Sequence, residues 1–518
     1  MFKNNTKNLG LWATLGLYLL AWVLAHGVSD TNLDAYADML ENYAWGQHLG
    51  WGSAKHPPLF AWITGIWFAL FPTIDTSYHV LSYLNAALGL LGVYRFAQAI
   101  GRDELALPAV LLLGMSFPYS TLAVKFNANA VLLSVWPWVA VAWANSIRWQ
   151  GRAGLIWSVL LGLLAGLSML GKYYSGVFLL ALFLTSISFQ EGRAWLLTPR
   201  PWLTLLVFFL GLLPHWQWLQ NHDFVTLHYI SEQGSDEGVN WRMVSKFAIA
   251  PIGYWLVPWL LCTFLFASQG RSWLQALGAW PAQMWASWRP QGWQDSLFWF
   301  AMLPWAITLT FGITGFVELS IPWAIPIGCG FTLLWLRNLS QAQGISSAIP
   351  RTIHASFLAW LALIVCVSPF YAWYQATHGT ENHYLPRREA AGVILQTWKD
   401  KHPDVPLEWV GGQWAESALL AFYGDHQLEV IPEVPDQFPA TVTPFNGWES
   451  RAGLLLCPLG PTQRETPTDC PQRMQAWLQA KGQPAQPWTV TVKSEGMRFP
   501  IDMPFSYMAF EYLPSKRP

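Results

Sequence analysis

The sequence predicts an all-α polytopic membrane bundle carrying a small C-terminal α/β domain. Three observations carry that expectation. Hydrophobic residues make up 53% of the 518 and charged residues only 11%, where a soluble domain carries roughly 25% charged residues. Apolar runs long enough to cross a bilayer, about 17–25 residues each, recur as far as residue 373. After residue 374 the composition turns to that of a soluble domain. A net charge of −1 gives no reason to invoke nucleic acid or a polyanionic partner.

The apolar runs place eleven spans at 9–25, 78–99, 105–122, 128–146, 154–171, 174–190, 202–219, 247–267, 296–313, 321–336 and 353–373. The first follows Lys3 and Lys7 and is read as an uncleaved anchor, because its run is long and bears tryptophan. Basic residues set the orientation. With the N-terminus inside, Lys3 and Lys7, Arg95 and Arg102, Arg148 and Arg152, Arg193 and Arg200, Arg271 and Arg289, and Arg337 and Arg351 all fall at inner ends. Lys55, Lys125, Lys172, Arg242 and Lys246 fall outside, together with most of the acidic residues. An odd span count puts the C-terminus outside as well.

Residues 59–72 are apolar but too short to span, and Pro57, Pro58 and Pro72 bracket them. They read as a juxtamembrane or re-entrant helix on the outer side. The stretch from Leu33 to Gly50 reads as a helix at the outer interface, with Leu33, Tyr36, Leu40 and Tyr43 at helical spacing. This gives a membrane domain at 1–374 with an outer loop at 26–77, and a soluble domain at 375–518. In the latter, 387–401 reads as an amphipathic helix, 407–412 and 453–457 as buried strands with a helix at 413–423 between them, and 487–513 as further strands. Gly411-Gly412 reads as a tight turn more readily than as an anion site. Cys262, Cys329 and Cys366 lie in apolar runs and read as small buried residues. Cys457 and Cys470 fall in the outer domain, where an oxidising compartment would join them.

Chemistry concentrates between Asp30 and Pro58. Asp34, Asp38 and Glu41 stand at i, i+4 and i+7, on one face of the expected helix, where like charges repel. A solvated acidic face would look the same. A face turned to a cavity holding a cation or an acceptor group explains the repulsion better. Trp45 shares that helix with Asp38. Lys172 lies between two spans, where snorkelling is the plainer reading. His215 sits in an apolar run and reads as a hydrogen-bonded helix residue before it reads as a ligand.

The Asp38, Gln47-His48-Leu49 and His56-Pro57-Pro58-Leu59 series, with aromatics between, resembles the first periplasmic loop of bacterial GT-C glycosyltransferases. That group includes the protein-mannosyltransferase-like enzymes and the lipid A aminoarabinose transferases. The resemblance extends through 166–182, 212–224 and 316–326 and covers roughly residues 9–375. It implies Asp38 as the catalytic acidic residue, with Asp34 and Glu41 as supporting or alternative carboxylates. It implies Lys55, His56 and Lys172 as donor phosphate ligands, and Arg242 joins them as a candidate by its position at the outer membrane boundary. Tyr43, Trp45, Asn127, Asn129, Tyr173, His215 and Glu318 follow as substrate-binding candidates. Where many members have a second Asp, this chain has Asn127 and Asn129, and amides bind divalent metals far less well than carboxylates. No metal ligands are assigned, no cofactor is required, and a divalent cation is left open.

The function so implied is transfer of a hexosyl or pentosyl group from a polyprenyl-phosphate donor, of undecaprenyl-phosphate type, to an envelope lipid, glycan or protein acceptor. The enzyme would be inverting, with a carboxylate base, and would lie in a bacterial inner membrane with its site facing the periplasm. A lipid-linked glycan polymerase or ligase is the second enzymatic reading. A secondary transporter or lipid flippase is the non-enzyme rival, but such proteins place ionisable residues near the midplane and show paired halves. Here the charges stand at loop ends, and the Asp38–Pro58 pattern has no second copy.

Overall fold

The structure, a computed structural model, describes residues 2–30, 32–33, 37–232, 238–377, 386–412, 414–432, 447–459, 469–484, 486–493 and 505–514. Its helices run in the order α1 (Phe2–Ser29), α2 (Asp38–Gly46), α3 (Leu59–Leu70), α4 (Asp75–Ala99), α5 (Asp103–Gly114) and α6 (Leu132–Arg148). Then come α7 (Gly151–Gly171), α8 (Ser175–Ser188), α9 (Gln190–Leu196), α10 (Arg200–Asn221), α11 (Val225–Glu232), α12 (Trp241–Ser268) and α13 (Trp273–Ser287). The bundle closes with α14 (Ser296–Ile313), α15 (Phe331–Gln343) and α16 (Ala348–Thr377).

Among the described residues, seven helices are long and apolar enough to cross a membrane: α1, α4, α7, α10, α12, α14 and α16. The α8–α9 pair passes the same test, but the two are bent at 111° to one another. The expected spans at 105–122, 128–146 and 321–336 instead hold helices of 12, 17 and 13 residues. Proline explains two of the shortfalls. Pro118 follows α5, and Pro322 and Pro326 break the approach to α15 into short 3₁₀ turns at Ile321–Ala324 and Ile327–Gly330. Helix length alone thus supports seven spans, or eight with the bent pair, where the sequence predicts eleven.

The outer loop holds two short helices. α3 matches the expected non-spanning segment. α2 is shorter than the expected helix from Leu33 to Gly50, because Ala37 takes a left-handed conformation (φ 59°) directly before Asp38. A non-glycine residue in that region stops helical continuation, and Leu33 is left in a bend. Three devices then fix α2. The Tyr78 hydroxyl donates to the Met39 carbonyl at 2.9 Å. The buried Asn42 amide donates to the Phe126 carbonyl. Gly46 and Gly65 let α2 and α3 touch backbone to backbone, since a Cβ on Gly65 would lie 2.2 Å from the Gly46 carbonyl oxygen.

A small C-terminal sheet domain stands at one end of the bundle. Its strands are β1 (Trp409–Gly412), β2 (Glu429–Pro432), β3 (Gly453–Leu459), β4 (Pro487–Val492) and β5 (Phe505–Tyr512), in the order β2-β1-β3-β5-β4. β2, β1 and β3 are parallel, and β5 and β4 continue antiparallel. Helices α17 (Arg387–Lys401), α18 (Trp414–Tyr423) and α19 (Cys470–Ala480) accompany the sheet. Sheet packing accounts for the glycine pair, because a Cβ on Gly412 would sit 2.6 Å from the Leu456 carbonyl oxygen. Cys457 and Cys470 form a disulfide with their Cα atoms 5.9 Å apart. Cys262 and Cys329 are buried as expected, whereas Cys366 is exposed on the outer surface of α16, where a span meets lipid.

The domain rests on α2 and its neighbours. Phe422 packs edge-on against Tyr43 and Phe68 at 5.2 and 5.6 Å. Gln47 donates to the Leu428 carbonyl at 2.8 Å, and His48 meets Glu429 at 2.6 Å.

Candidate active site

Four chain segments converge beside α2. Asp38 opens the helix and Glu41 lies one turn on. The loop from Lys125 to Asn129 precedes α6, the Lys55-His56 turn precedes α3, and Lys172 follows the last residue of α7. Asp38 accepts from the Lys125 ammonium at 2.8 Å and from the Asn127 amide at 2.8 Å. The Asn127 side-chain oxygen in turn accepts from the backbone N–H groups of Asn129 and Ala130. That fixes which end of the amide faces Asp38. Asn129 accepts from the Lys172 ammonium at 2.6 Å.

Burial lowers the Lys172 pKa to about 8, against the opposing pull of the Asp38 charge. The Lys172 ammonium also lies 5.7 Å from the centre of the Trp323 ring, a cation–π distance. The site therefore holds a carboxylate and a desolvated ammonium, each positioned by an asparagine amide.

Glu41 and Lys55 form a second pair at 2.8 Å, both largely buried. His56 closes a tight turn in which Ser53 donates to the His56 carbonyl and the His56 N–H donates to the Ser53 hydroxyl. Burial lowers the His56 pKa to about 3, and the charges of Lys172 and Lys55 add to the effect. His56 is therefore neutral, and its ring remains a hydrogen-bond donor. Its ring meets Trp45, Phe60 and Tyr229 edge-on.

His215 bridges two elements beside this cluster, meeting the Tyr173 hydroxyl at 2.5 Å and the Trp51 carbonyl at 2.5 Å. It has the hydrogen-bonded helix role that its apolar setting suggests.

The structure thus brings together Asp38, Glu41, Lys55, His56, Asn127, Asn129 and Lys172, with Trp45, Tyr173 and His215 in contact around them. Three expected residues are placed elsewhere. Tyr43 packs into the aromatic contact with Phe68 and Phe422, away from the charged cluster. Arg242 is exposed at the start of α12. Glu318 is exposed and accepts from Asn240 at 2.8 Å, tying the loop before α15 to the start of α12. Asp34 lies outside the described residues.

Lys125, the direct partner of Asp38, was not among the expected site residues. Its signal was its position two residues before Asn127 in the same outer connection.

Among the described residues no group of three or more His, Cys, Asp or Glu side chains is arranged to hold a metal ion. Among the described residues, the two partners given for Asp38 are an ammonium and an amide, and neither is a good ligand for a divalent cation.

Residues 55–218 match the family model of dolichyl-phosphate-mannose-protein mannosyltransferase. The whole fold is similar to ArnT from Cupriavidus metallidurans bound to undecaprenyl phosphate, with a TM-score of 0.58 at 14% identity over 99% of this chain and 98% of that one. The apo form of the same protein aligns with a TM-score of 0.56 at 14% identity over 99% of each chain. No curated protein matches the chain in sequence. The chain therefore has the fold of ArnT, with helices long and apolar enough for a multi-pass membrane protein, and the segment matched by the mannosyltransferase family model holds Lys55, His56, Lys125, Asn127, Asn129 and Lys172.

Proposed function

We propose that the chain transfers a sugar from a polyprenyl-phosphate donor to an envelope lipid, glycan or protein acceptor, with Asp38 as the base. The observation that carries this reading is that Asp38, at the start of α2, and a buried ammonium, Lys172, at the end of α7, are linked through Asn127 and Asn129. The undecaprenyl phosphate bound by the structural relative supports a donor of that class.

In the reaction, the anomeric C–O bond of the donor breaks and its electron pair passes to the departing phosphate. Lys172 and Lys55 meet the charge that develops there, and a desolvated ammonium is worth most at such a position. The acceptor hydroxyl or amine forms the new bond from the opposite face of the sugar, which inverts the anomeric centre. Its proton passes to Asp38. Lys125 and Asn127 hold the Asp38 carboxylate in place until the acceptor arrives. Asn129 and Trp323 do the same for Lys172.

The reading includes a bacterial inner membrane location, eleven spans with the N-terminus inside, and a soluble domain from about residue 375 on the outer side. The expected inner residues Arg102, Arg148, Arg200 and Arg337 line one common cavity, at the end of the bundle opposite Lys172. Cysteine labelling at Arg271 from the periplasm would contradict the topology.

The donor reading is tested by titrating purified protein with undecaprenyl phosphate. Saturable binding that Lys172→Ala weakens about tenfold or more supports it, since a charge-assisted hydrogen bond is worth roughly 1.5–3 kcal/mol. Equal affinity in the variant would leave Lys172 a snorkelling residue.

A further inference from the structure

A cavity of about 890 Å³ opens at the bundle end opposite the candidate active site. The helix directions fix that placement: α7 starts beside the cavity at Gly151 and ends before Lys172, and α10 starts there at Arg200 and reaches His215 near the site. We propose that this cavity binds the phosphodiester headgroup of an anionic phospholipid from the leaflet remote from the active site. The inference is independent of the reaction assigned to the chain.

Charge is the first argument. Arg102, Arg148, Arg200 and Arg337 line the cavity, with Glu191 as the carboxylate among them. Among the described residues, Arg337 alone of the four forms an ion pair, to the buried Asp295 behind it. The Arg148 guanidinium donates to the carbonyls of Gln98 and Ala99, and that of Arg200 to the carbonyls of Ser146 and Trp149. Neutral carbonyls orient a guanidinium without cancelling its charge, and its remaining N–H groups stay available as a fork for phosphate oxygens. Asp103 and Glu104 follow Arg102 in sequence but do not line the cavity.

Shape and apolar surface choose a lipid over a free anion. The cavity floor is aromatic, with Phe300 at 4.5 Å from Phe96 and 6.1 Å from Trp143, and Phe189 at 6.2 Å from Trp143. Among the described residues the buried Trp195 indole N–H, also in the lining, has no hydrogen-bond partner. Beside the Arg200 rim the surface turns apolar and open, with Leu197 90% exposed and Trp202 71% exposed. A headgroup seated on the arginines would lay its acyl chains along that face of α10. The volume lies within the roughly 300–1,000 Å³ of small-ligand sites, and basic pockets between membrane helices are known to take anionic headgroups.

Native mass spectrometry of the purified full chain, titrated separately with phosphatidylglycerol and phosphatidylcholine, tests the proposal. Retention of phosphatidylglycerol in preference to phosphatidylcholine is expected. Arg102→Gln combined with Arg148→Gln should weaken that retention about tenfold or more. Arg193→Gln, an exposed arginine outside the cavity lining, should leave it unchanged. Equal retention of the two lipids by the wild type overturns the proposal whether or not the double variant folds. So does unchanged retention by a folded double variant, or release of the lipid by millimolar inorganic phosphate.

Discussion

Lys125 reaches the Asp38 carboxylate at 2.8 Å, from a loop separated from α2 by α3, α4, α5 and the Lys55-His56 turn. The pair is only partly buried, with side-chain exposures of 25% and 32%. A pair so exposed contributes at most about 1 kcal/mol to stability. In the proposed reaction it holds the carboxylate in place for the acceptor.

Lys125→Ala should therefore fold with a nearly unchanged Tm and lose turnover. The loss should appear in kcat more than in KM, by about tenfold, because what is removed is orientation at the reacting atoms. Steady-state kinetics alongside thermal unfolding checks this. A normal kcat would show that Asp38 keeps its position without Lys125.

Donor affinity should fall as the pH rises from about 7 to about 9. Burial lowers the Lys172 pKa to about 8, so its charge is present below that value and lost as pH climbs through it. Lys172→Arg, whose guanidinium stays charged, should bind less well at neutral pH yet show a flatter profile. Titration of undecaprenyl phosphate binding against pH measures both. A wild-type affinity constant across that range would detach Lys172 from the phosphate.

Gly65→Ala should destabilise the outer loop by about 1–3 kcal/mol, the usual cost of overpacking. Its Cβ would meet the Gly46 carbonyl oxygen at 2.2 Å, and backbone cannot swing aside. Since α2 carries Asp38, activity should fall with it. Gly211→Ala, where an added Cβ meets nothing within 4 Å, serves as the control. Matching melting curves for the two variants would contradict the close crossing of α2 and α3.

Asp295→Ala should cost about 3–5 kcal/mol, the penalty of leaving one buried charge uncompensated. Its partner Arg337 and Asp295 itself are 7% and 1% exposed, and their two contacts measure 2.5 and 2.7 Å. Replacing both residues with apolar ones of similar size should recover most of the loss. Thermal unfolding in detergent of the single and double variants reads the difference.

The sequence showed the bundle well wherever the apolar period ran unbroken. The expected 296–313 is the observed α14, and 387–401 is the observed α17. Around Pro118, Pro322 and Pro326 the expected spans hold shorter helices and 3₁₀ turns, because hydropathy measures composition and carries no record of a break in the backbone. Strand β2 went unseen, since four residues such as Glu429–Pro432 hold too little pattern to stand out.

The site was legible in part for the same reason. Asp38, Lys55 and Lys172 are local charges in apolar surroundings and can be read one at a time. Their partners are not local: Asn127 lies 89 residues from Asp38, and Asn129 lies 43 from Lys172. The packing of Tyr43 was not legible, because helical spacing gives a face without saying what covers it. Here the cover is Phe422 of the C-terminal domain.

Asp38→Asn tests the central claim most directly. The substitution keeps the size of the side chain and its contact with Asn127 while removing its basicity. The measurement is turnover, followed by mass spectrometry of envelope lipids and glycans from cells carrying either form, with undecaprenyl phosphate binding as a check on folding. The sugar-bearing product should be present with the wild type and nearly absent with the variant, a fall of roughly 10²–10⁴-fold in rate, while lipid binding persists. A variant that folds, binds the carrier and still makes the product at the wild-type rate would contradict Asp38 as the base.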